Sequence, residues 1–249
     1  MPLVTSAANP LVKDVRRAIA RGSLTEEGWC VAESFHLLEE ALRSDVEIPV
    51  VIASESAERR LPELKASRVV VLSDALFQTI ATTETSQGVM ALVRPPEWSV
   101  ERFFRGQSLV VVLDGIQDPG NAGTIVRAAE AFGATGVMFL KGTVSPHNPK
   151  TLRASAGSLF RVPVVAASIP PDVDIYAAMP FTGSERMAGD VDFTRRCAIV
   201  IGSEGRGVSK ELLGVAEHIA IPTVAVNSLN AAVAASVILY EARRQRVRL

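Results

Sequence analysis

Three separated stretches of this chain concentrate the side chains able to do chemistry. In the first, the apolar run Leu109–Leu113 gives way to Asp114-Gly-Ile-Gln-Asp-Pro-Gly-Asn121-Ala-Gly123 and then to a helical pattern through Arg127 that Phe132-Gly133 can end. The second, Gly202-Ser-Glu204-Gly205-Arg-Gly207-Val-Ser209, sets one acid among three glycines, with Ser209 placed to cap a helix. Glycines so spaced either make an ordinary tight turn or let backbone approach a ligand. The third runs from Ile221-Pro222 through Asn227-Ser228-Leu229-Asn230 into an alanine-rich helix that Ser228 or Asn227 can cap. Asn230 there reads either as a local cap or as a ligand of a site.

Neither common nucleotide motif is met. Gly115 and Gly120 have phosphate-loop spacing, but Asn121 stands where that loop needs a lysine. The Gly-x-Gly-x-x-Gly fingerprint is missing. His36, His147 and His218 are scattered without metal-ligand spacing, and Cys30 and Cys197 are each buried in a strand-like run, so no metal centre is expected. Arg127 sits among Ile125, Val126, Ala128 and Ala129. An arginine in such a helix either snorkels to solvent or is kept for a carboxylate or phosphate.

Positioning these residues requires a buried parallel sheet. Beyond residue 108, strands are expected at Leu109–Leu113, Val137–Leu140, Val162–Val165, about Tyr176–Phe181, Cys197–Ile201 and His218–Ile221, all nearly continuous apolar runs. Ligands of such sheets bind at the carboxyl ends of the strands. Ahead of them, a helix from Asn9-Pro10 to Arg21 begins a smaller alternation. Trp29–Ala32, Val50–Ala53, Val69–Leu72 and Val89–Val93 read as strands; Ser34–Leu42, Ala57–Lys65 and the stretch after Ser73-Asp74 read as helices. Pro95-Pro96 breaks the pattern, which divides the chain into residues 1–96, a linker 97–107 and residues 108–249.

The 249 residues fit one large or two small domains at roughly 150 residues each. With 48% hydrophobic residues and a mean hydropathy of +0.24, general disorder is excluded. No window reaches the ~20 apolar residues of a membrane helix, and the first residues lack the pattern of a signal peptide, so a cytoplasmic protein is expected. Net charge is -1, which alone argues against nucleic acid, but it is uneven. Residues 1–100 hold 10 Lys/Arg against 14 Asp/Glu, and the remainder 16 against 13. Lys13, Arg16, Arg17 and Arg21 cluster near the start and Arg243, Arg244, Arg246 and Arg248 at the end, either as solvated helix faces or as phosphate-contacting patches.

Taken in order, the three stretches resemble the SpoU/TrmH family of RNA 2′-O-ribose methyltransferases, of the SPOUT superfamily. Asn121, Gly123, Arg127, Phe132 and Gly133 match its first motif; Gly202, Glu204, Gly205 and Gly207 its second; Ile221, Pro222, Ser228, Leu229 and Asn230 its third. Asn9–Lys13 and Gly28–Glu33 resemble its small substrate-binding domain. The resemblance implies an α/β fold with a deep trefoil knot in a C-terminal parallel-sheet domain, a homodimer, and S-adenosyl-L-methionine as cofactor. It implies a cofactor pocket built from Thr182-Gly183, Ile201-Gly202 and the loop from Ile221 to Leu229. It implies Arg127 at the ribose hydroxyl as general base or as phosphate and alkoxide clamp, oriented by Asn121, with Glu204, Ser228 and Asn230 completing the site. Two features depart from the family: Asn227 stands where Glu or Gln is usual, and the Ile221–Ser228 loop is one residue shorter and lacks its glycine.

The substrate so implied is structured RNA, rRNA ahead of tRNA. Lys13, Arg16 and Arg17 would contact it, as would Lys141, Lys150, Arg153 and Arg161 around the loop after Val137–Leu140. The alternative is a non-catalytic RNA-binding or assembly protein that keeps the fold. The intact Arg127, Glu204, Ser228 and Asn230 argue against it.

Overall fold

The computed structural model describes residues 3–64, 68–99, 103–104, 106–165, 169, 173–183 and 185–247. Lys65 and Arg248, which the sequence reading includes, lie outside them. The chain forms two compact units: Met1–Glu97 with His147–Arg161, and Trp98–Pro146 with Val162–Leu249.

The first unit is a five-stranded mixed sheet. Its strands are β1 (Leu3–Val4), β2 (Cys30–Glu33), β3 (Val50–Ser54), β4 (Arg68–Leu72) and β5 (Val89–Val93), ordered β1-β4-β3-β5-β2. β1, β4 and β3 are mutually parallel; β5 runs antiparallel to β3 and β2. Helix α1 (Pro10–Arg21) starts where Pro10 follows the Asn9 cap, whose side chain accepts from the Leu11 N–H at 3.0 Å. Its Val12, Val15 and Ala18 join Ile52, Leu72, Phe77 and Met90 in one core. α2 (Phe35–Arg43) and α3 (Asp74–Gln78) are capped by Ser34 and Ser73.

The helix expected over Ala57–Lys65 is not formed. Only a 3-10 turn, Glu58–Arg60, appears there, because Pro62 holds Leu61 in extended backbone (ψ 139°). β1 pairs along only two residues, too short a run to show periodicity.

The second unit is an all-parallel seven-stranded sheet. It contains β6 (Leu109–Asp114), β7 (Gly136–Phe139), β8 (Val164–Val165), β9 (Asp174–Met179), β10 (Arg186–Met187), β11 (Cys197–Gly202) and β12 (Glu217–Ala220), in the order β10-β12-β9-β11-β6-β7-β8. The first five residues of β6 and β11 are fully buried, as both-face coverage requires. β9 ends before Pro180, two residues earlier than expected, since proline cannot donate to the ladder. Helices α4 (Pro119–Ala131) and α7 (Ala231–Arg246) pack against each other, and α6 (Lys210–Leu213) follows the glycine loop. Phe103 and Phe104 are buried in this unit's core, with Trp98 against it.

The remaining helix, α5 (Pro149–Ala154), belongs to the first unit although its sequence lies between β7 and β8. It packs on β2, and Arg161 pairs with Glu40 at 2.8 Å. Both cysteines are free and buried, and burial pushes their thiols up, Cys30 to about 12 and Cys197 to about 11. They stay protonated and inert near neutral pH.

Candidate active site

Three neighbouring parallel strands, β9, β11 and β12, deliver their carboxyl ends to one cavity of about 410 Å³. Met179-Pro180-Phe181, Ile201–Glu204, the loop from Ile221 to Leu229, and the α7 residues Ala231, Ala234 and Ile238 form its wall. Ala231 and Ala234 present only methyl groups there, so the small residues of α7 leave room beside the loop. Of the residues expected to hold the cofactor, Ile201, Gly202, Ile221 and Leu229 line the cavity. Thr182 and Gly183 do not. They lie one and two residues past Phe181, where Thr182 donates through its N–H (2.8 Å) and hydroxyl (2.6 Å) to Glu185. The lining residues just before them are Met179, Pro180 and Phe181, the end of the strand expected over Tyr176–Phe181.

The glycine loop is shaped by its own backbone. A Cβ on Gly202 would fall on the Gly207 carbonyl carbon and the Val208 nitrogen. Ser203 and Gly207 exchange two backbone hydrogen bonds, 3.2 and 2.8 Å, with Gly207 at φ 68°. The close approach that Gly202 allows is therefore to its own loop. Ser209 stands at the helix N-cap position but makes no side-chain cap bond; its N–H donates to Asp114 Oδ2 at 2.6 Å.

At the rim, residues from all three motifs meet. Asn121 Nδ2 donates to Glu204 Oε1, and Asn230 Nδ2 donates both to the same oxygen (3.2 Å) and to Asn121 Oδ1 (3.1 Å). Asp118, one turn earlier, is the cap of α4 and accepts the Asn121 N–H at 2.7 Å, which fixes where Asn121 starts. Asn230, rather than Ser228 or Asn227, caps α7: its Oδ1 accepts from Ala232 (2.9 Å) and Val233 (3.2 Å). One amide thus caps α7 through its oxygen and joins Asn121 and Glu204 through its nitrogen. Ser228 and Asn227 line the cavity.

Arg127 is not brought to this cluster. It is exposed on α4, does not line the cavity, and its side chain makes no hydrogen bond or ion pair with another described residue. Six residues on a helix advance by 600°, so Arg127 points about 120° away from Asn121.

The basic residues divide by partner. Arg16 donates to Thr79 Oγ1 at 2.8 Å and Arg17 pairs with Glu26, whereas the exposed Lys13 side chain has no partner among the described residues. Arg153 donates to Thr82 Oγ1 at 2.8 Å and lies 3.9 Å from the buried Glu33 carboxylate. Lys141 and Lys150 are exposed. At the C-terminal end, Arg246 ties down the carbonyls of Phe193 (2.7 Å), Arg195 (2.7 Å) and Ser108 (3.1 Å), and Arg244 pairs with Glu241. Those two hold structure together.

The cavity suits S-adenosylmethionine. Part of its wall is aliphatic, from Ile201, Ile221, Leu229 and Ile238, and its polar part holds Arg206 beside the Glu204 carboxylate, the group that suits a cationic sulfonium. Among the described residues no backbone–backbone hydrogen bond involves 223–229, which leaves main-chain donors and acceptors for an adenine. Three or more His, Cys, Asp or Glu able to hold a metal do not gather among the described residues.

Residues 108–240 match the model of the SpoU rRNA Methylase family, and residues 9–91 that of the MRM3-like substrate binding domain. The chain is 32% identical to the Bacillus subtilis 23S rRNA (guanosine(2553)-2'-O)-methyltransferase RlmP over 98% of its own length and all of that protein's. The SpoU methyltransferase AviRb from Streptomyces viridochromogenes, solved in complex with AdoMet, superposes with a TM-score of 0.85 at 25% identity, covering 96% of this chain and 99% of that one. An AdoMet-bound rRNA methyltransferase from Sinorhizobium meliloti gives 0.80 at 28% identity, over 98% and 97%.

Proposed function

The chain belongs to the SpoU rRNA methylase family, and on that premise we propose that it methylates the ribose 2′-hydroxyl of a nucleotide in rRNA, using S-adenosylmethionine. The observation that carries the reading is the cavity at the ends of β9, β11 and β12, with the Asn121–Glu204–Asn230 cluster on its rim. When bound there, S-adenosylmethionine supplies an electrophilic methyl on a positively charged sulfur. The chain's own work is alignment, because an in-line displacement needs hydroxyl oxygen, methyl carbon and sulfur on one axis. Glu204, held through Oε1 by two amides, has Oε2 left to serve the reacting groups, and Ser228 lines the same cavity. Ile201, Gly202, Ile221 and Leu229 hold the cofactor, with Met179 and Phe181 in the part foreseen for Thr182 and Gly183.

Arg127 is the phosphate and alkoxide clamp rather than the base, since a guanidinium keeps its proton and offers five donors in a fixed fork. Its exposure on α4, turned from Asn121, supports a reading in which a second copy of the chain presents it to the cavity. The exposed Val233, Val237 and Tyr240 form a stripe along α7, beside α4, that a homodimer would cover. No helix among the described residues is long and apolar enough to cross a membrane. The proposed rRNA substrate is what supports a cytoplasmic reaction.

Transfer of a tritiated methyl to rRNA fractions, followed by mapping of ribose methylation, tests this. Arg127→Ala is expected to abolish transfer while AdoMet affinity by calorimetry stays close to wild type. Turnover near wild type in that variant would refute the assignment.

A further inference from the structure

The first unit holds a second cavity, of about 360 Å³, that the transfer chemistry does not use. It opens at the carboxyl end of β3, between Ser54-Ser56, the 3-10 turn carrying Arg60, α3 and the loop that enters β5. Its size falls within the range of sites that take organic ligands. Its lining is mixed: serine hydroxyls, the amides of Gln78 and Gln87, the Asp74 carboxylate and the Arg60 guanidinium.

Several of these groups are unengaged. The Arg60 guanidinium lies 4.5 Å over the Phe35 ring and has no hydrogen-bond or ion-pair partner among the described residues, so a flat cationic face is left open. Gln78 is exposed and likewise unpartnered there. Gln87 uses its Oε1 to accept the Phe35 N–H at 3.0 Å, which leaves its NH₂ to donate. Asp74 accepts from the Ser56 N–H (3.0 Å) and hydroxyl (2.8 Å) through Oδ1, and these bonds, with the nearby Ser54 hydroxyl, hold its carboxyl below the usual range. Asp74 is thus ionised at neutral pH; it repels a bare phosphate and favours a ligand edge that carries N–H donors.

The wall is also built to stay in place. Glu33, buried on β2, accepts from the Thr82 N–H (2.7 Å), the Thr82 hydroxyl and the Ser86 hydroxyl (2.6 Å), with Arg153 beside it at 3.9 Å. One carboxylate therefore pins the loop that supplies Ser86, Gln87 and Gly88 to the cavity.

We propose that this cavity receives one unpaired, extrahelical base of the RNA substrate, stacked on the Arg60–Phe35 platform and read along its edge by Gln78, Gln87 and Asp74. The choice of RNA as the ligand rests on the methyltransferase reading. Single-stranded or bulged bases are the part of structured RNA that side chains can read, by stacking on aromatic or guanidinium planes and bonding to base edges. A planar ligand with donors and acceptors on one edge is what this lining complements.

The test uses the full-length chain and two RNA hairpins that differ only in a single bulged nucleotide, at one fixed salt concentration because phosphate contacts vary with salt. Wild type is expected to bind the bulged hairpin about tenfold more tightly than the fully paired one, the worth of one stacked base. Arg60→Ala and Gln78→Ala, both at exposed positions, should bind the two hairpins alike, at the affinity of the paired one. Variants that keep the wild-type preference, or a wild type with none, overturn the proposal. Calorimetry with AdoMet on the same samples separates the two readings. AdoMet binding without bulge preference sinks only the base pocket, and bulge preference without AdoMet binding sinks only the methyl transfer.

Discussion

Asn230 performs two tasks with one side chain, its Oδ1 capping α7 and its Nδ2 fastening Glu204 and Asn121. The tasks can be separated by substitution. Asn230→Ala removes both, and loss of the cap should lower stability by ~1 kcal/mol. Asn230→Ser restores a good cap but is too short to reach across to Glu204. Thermal denaturation of the serine variant should therefore return close to wild type while methyl transfer stays at least about tenfold down. Full recovery of transfer in Asn230→Ser would mean that the residue only starts the helix. Arg127 makes the opposite point. Its type and setting mark it as unusual in the sequence, but nothing local says which cavity it serves.

The glycine loop between β11 and α6 belongs to the scale of elements. It folds back so far that Gly207 and Val208 lie against the Cα of Gly202. Gly202→Ala should force the two segments apart, cost ~1–3 kcal/mol of stability and lower AdoMet affinity by more than about tenfold. Gly205→Ala is the control, since a Cβ there would meet nothing within 4 Å and its backbone is not left-handed. Calorimetry on both variants decides it: equal losses would show that the loop tolerates no side chain anywhere, and that the contact at Gly202 is not the cause. α5 shows what sequence cannot reveal at this scale. Its pattern reads as part of the second unit, but its partners are β2 and, through Arg153 and Arg161, the acids Glu33 and Glu40.

At the scale of the whole molecule, the two-copy arrangement makes a prediction that no single-chain mechanism shares. If the chain is the homodimer proposed, with Arg127 as clamp across it, Arg127→Ala and Leu229→Arg should each be inactive on their own, the first for want of the clamp and the second for want of the cofactor cavity. Refolded or co-expressed together, they should regain about a quarter of wild-type transfer, because half the dimers are mixed and each mixed dimer holds one intact site. If the mixture stays inactive while mixed dimers are shown by tag capture, Arg127 acts on its own chain and the α4–α7 face is not the interface.

Much was legible in the sequence because it is local. Asn9-Pro10 announced α1, the uninterrupted run Val89–Val93 was a strand to the residue, and the apolar runs of β6 and β11 announced a sheet buried on both faces. The residues of the rim cluster were implied by the family resemblance that the three motifs carry. Capping, proline restriction and hydrophobic periodicity act within a few residues, so they leave their mark on neighbours in the chain. Tertiary structure alone decided that Asn121, Glu204 and Asn230, up to 109 residues apart, would share one oxygen, because that follows from parallel register, with Gly202 set opposite Asp114. It also decided that Arg127 would face away from them, that residues 147–161 would join the other unit, and that a polar cavity would open beside Arg60. Each of these depends on where distant backbones come to rest against one another, and no local pattern in the sequence encodes that.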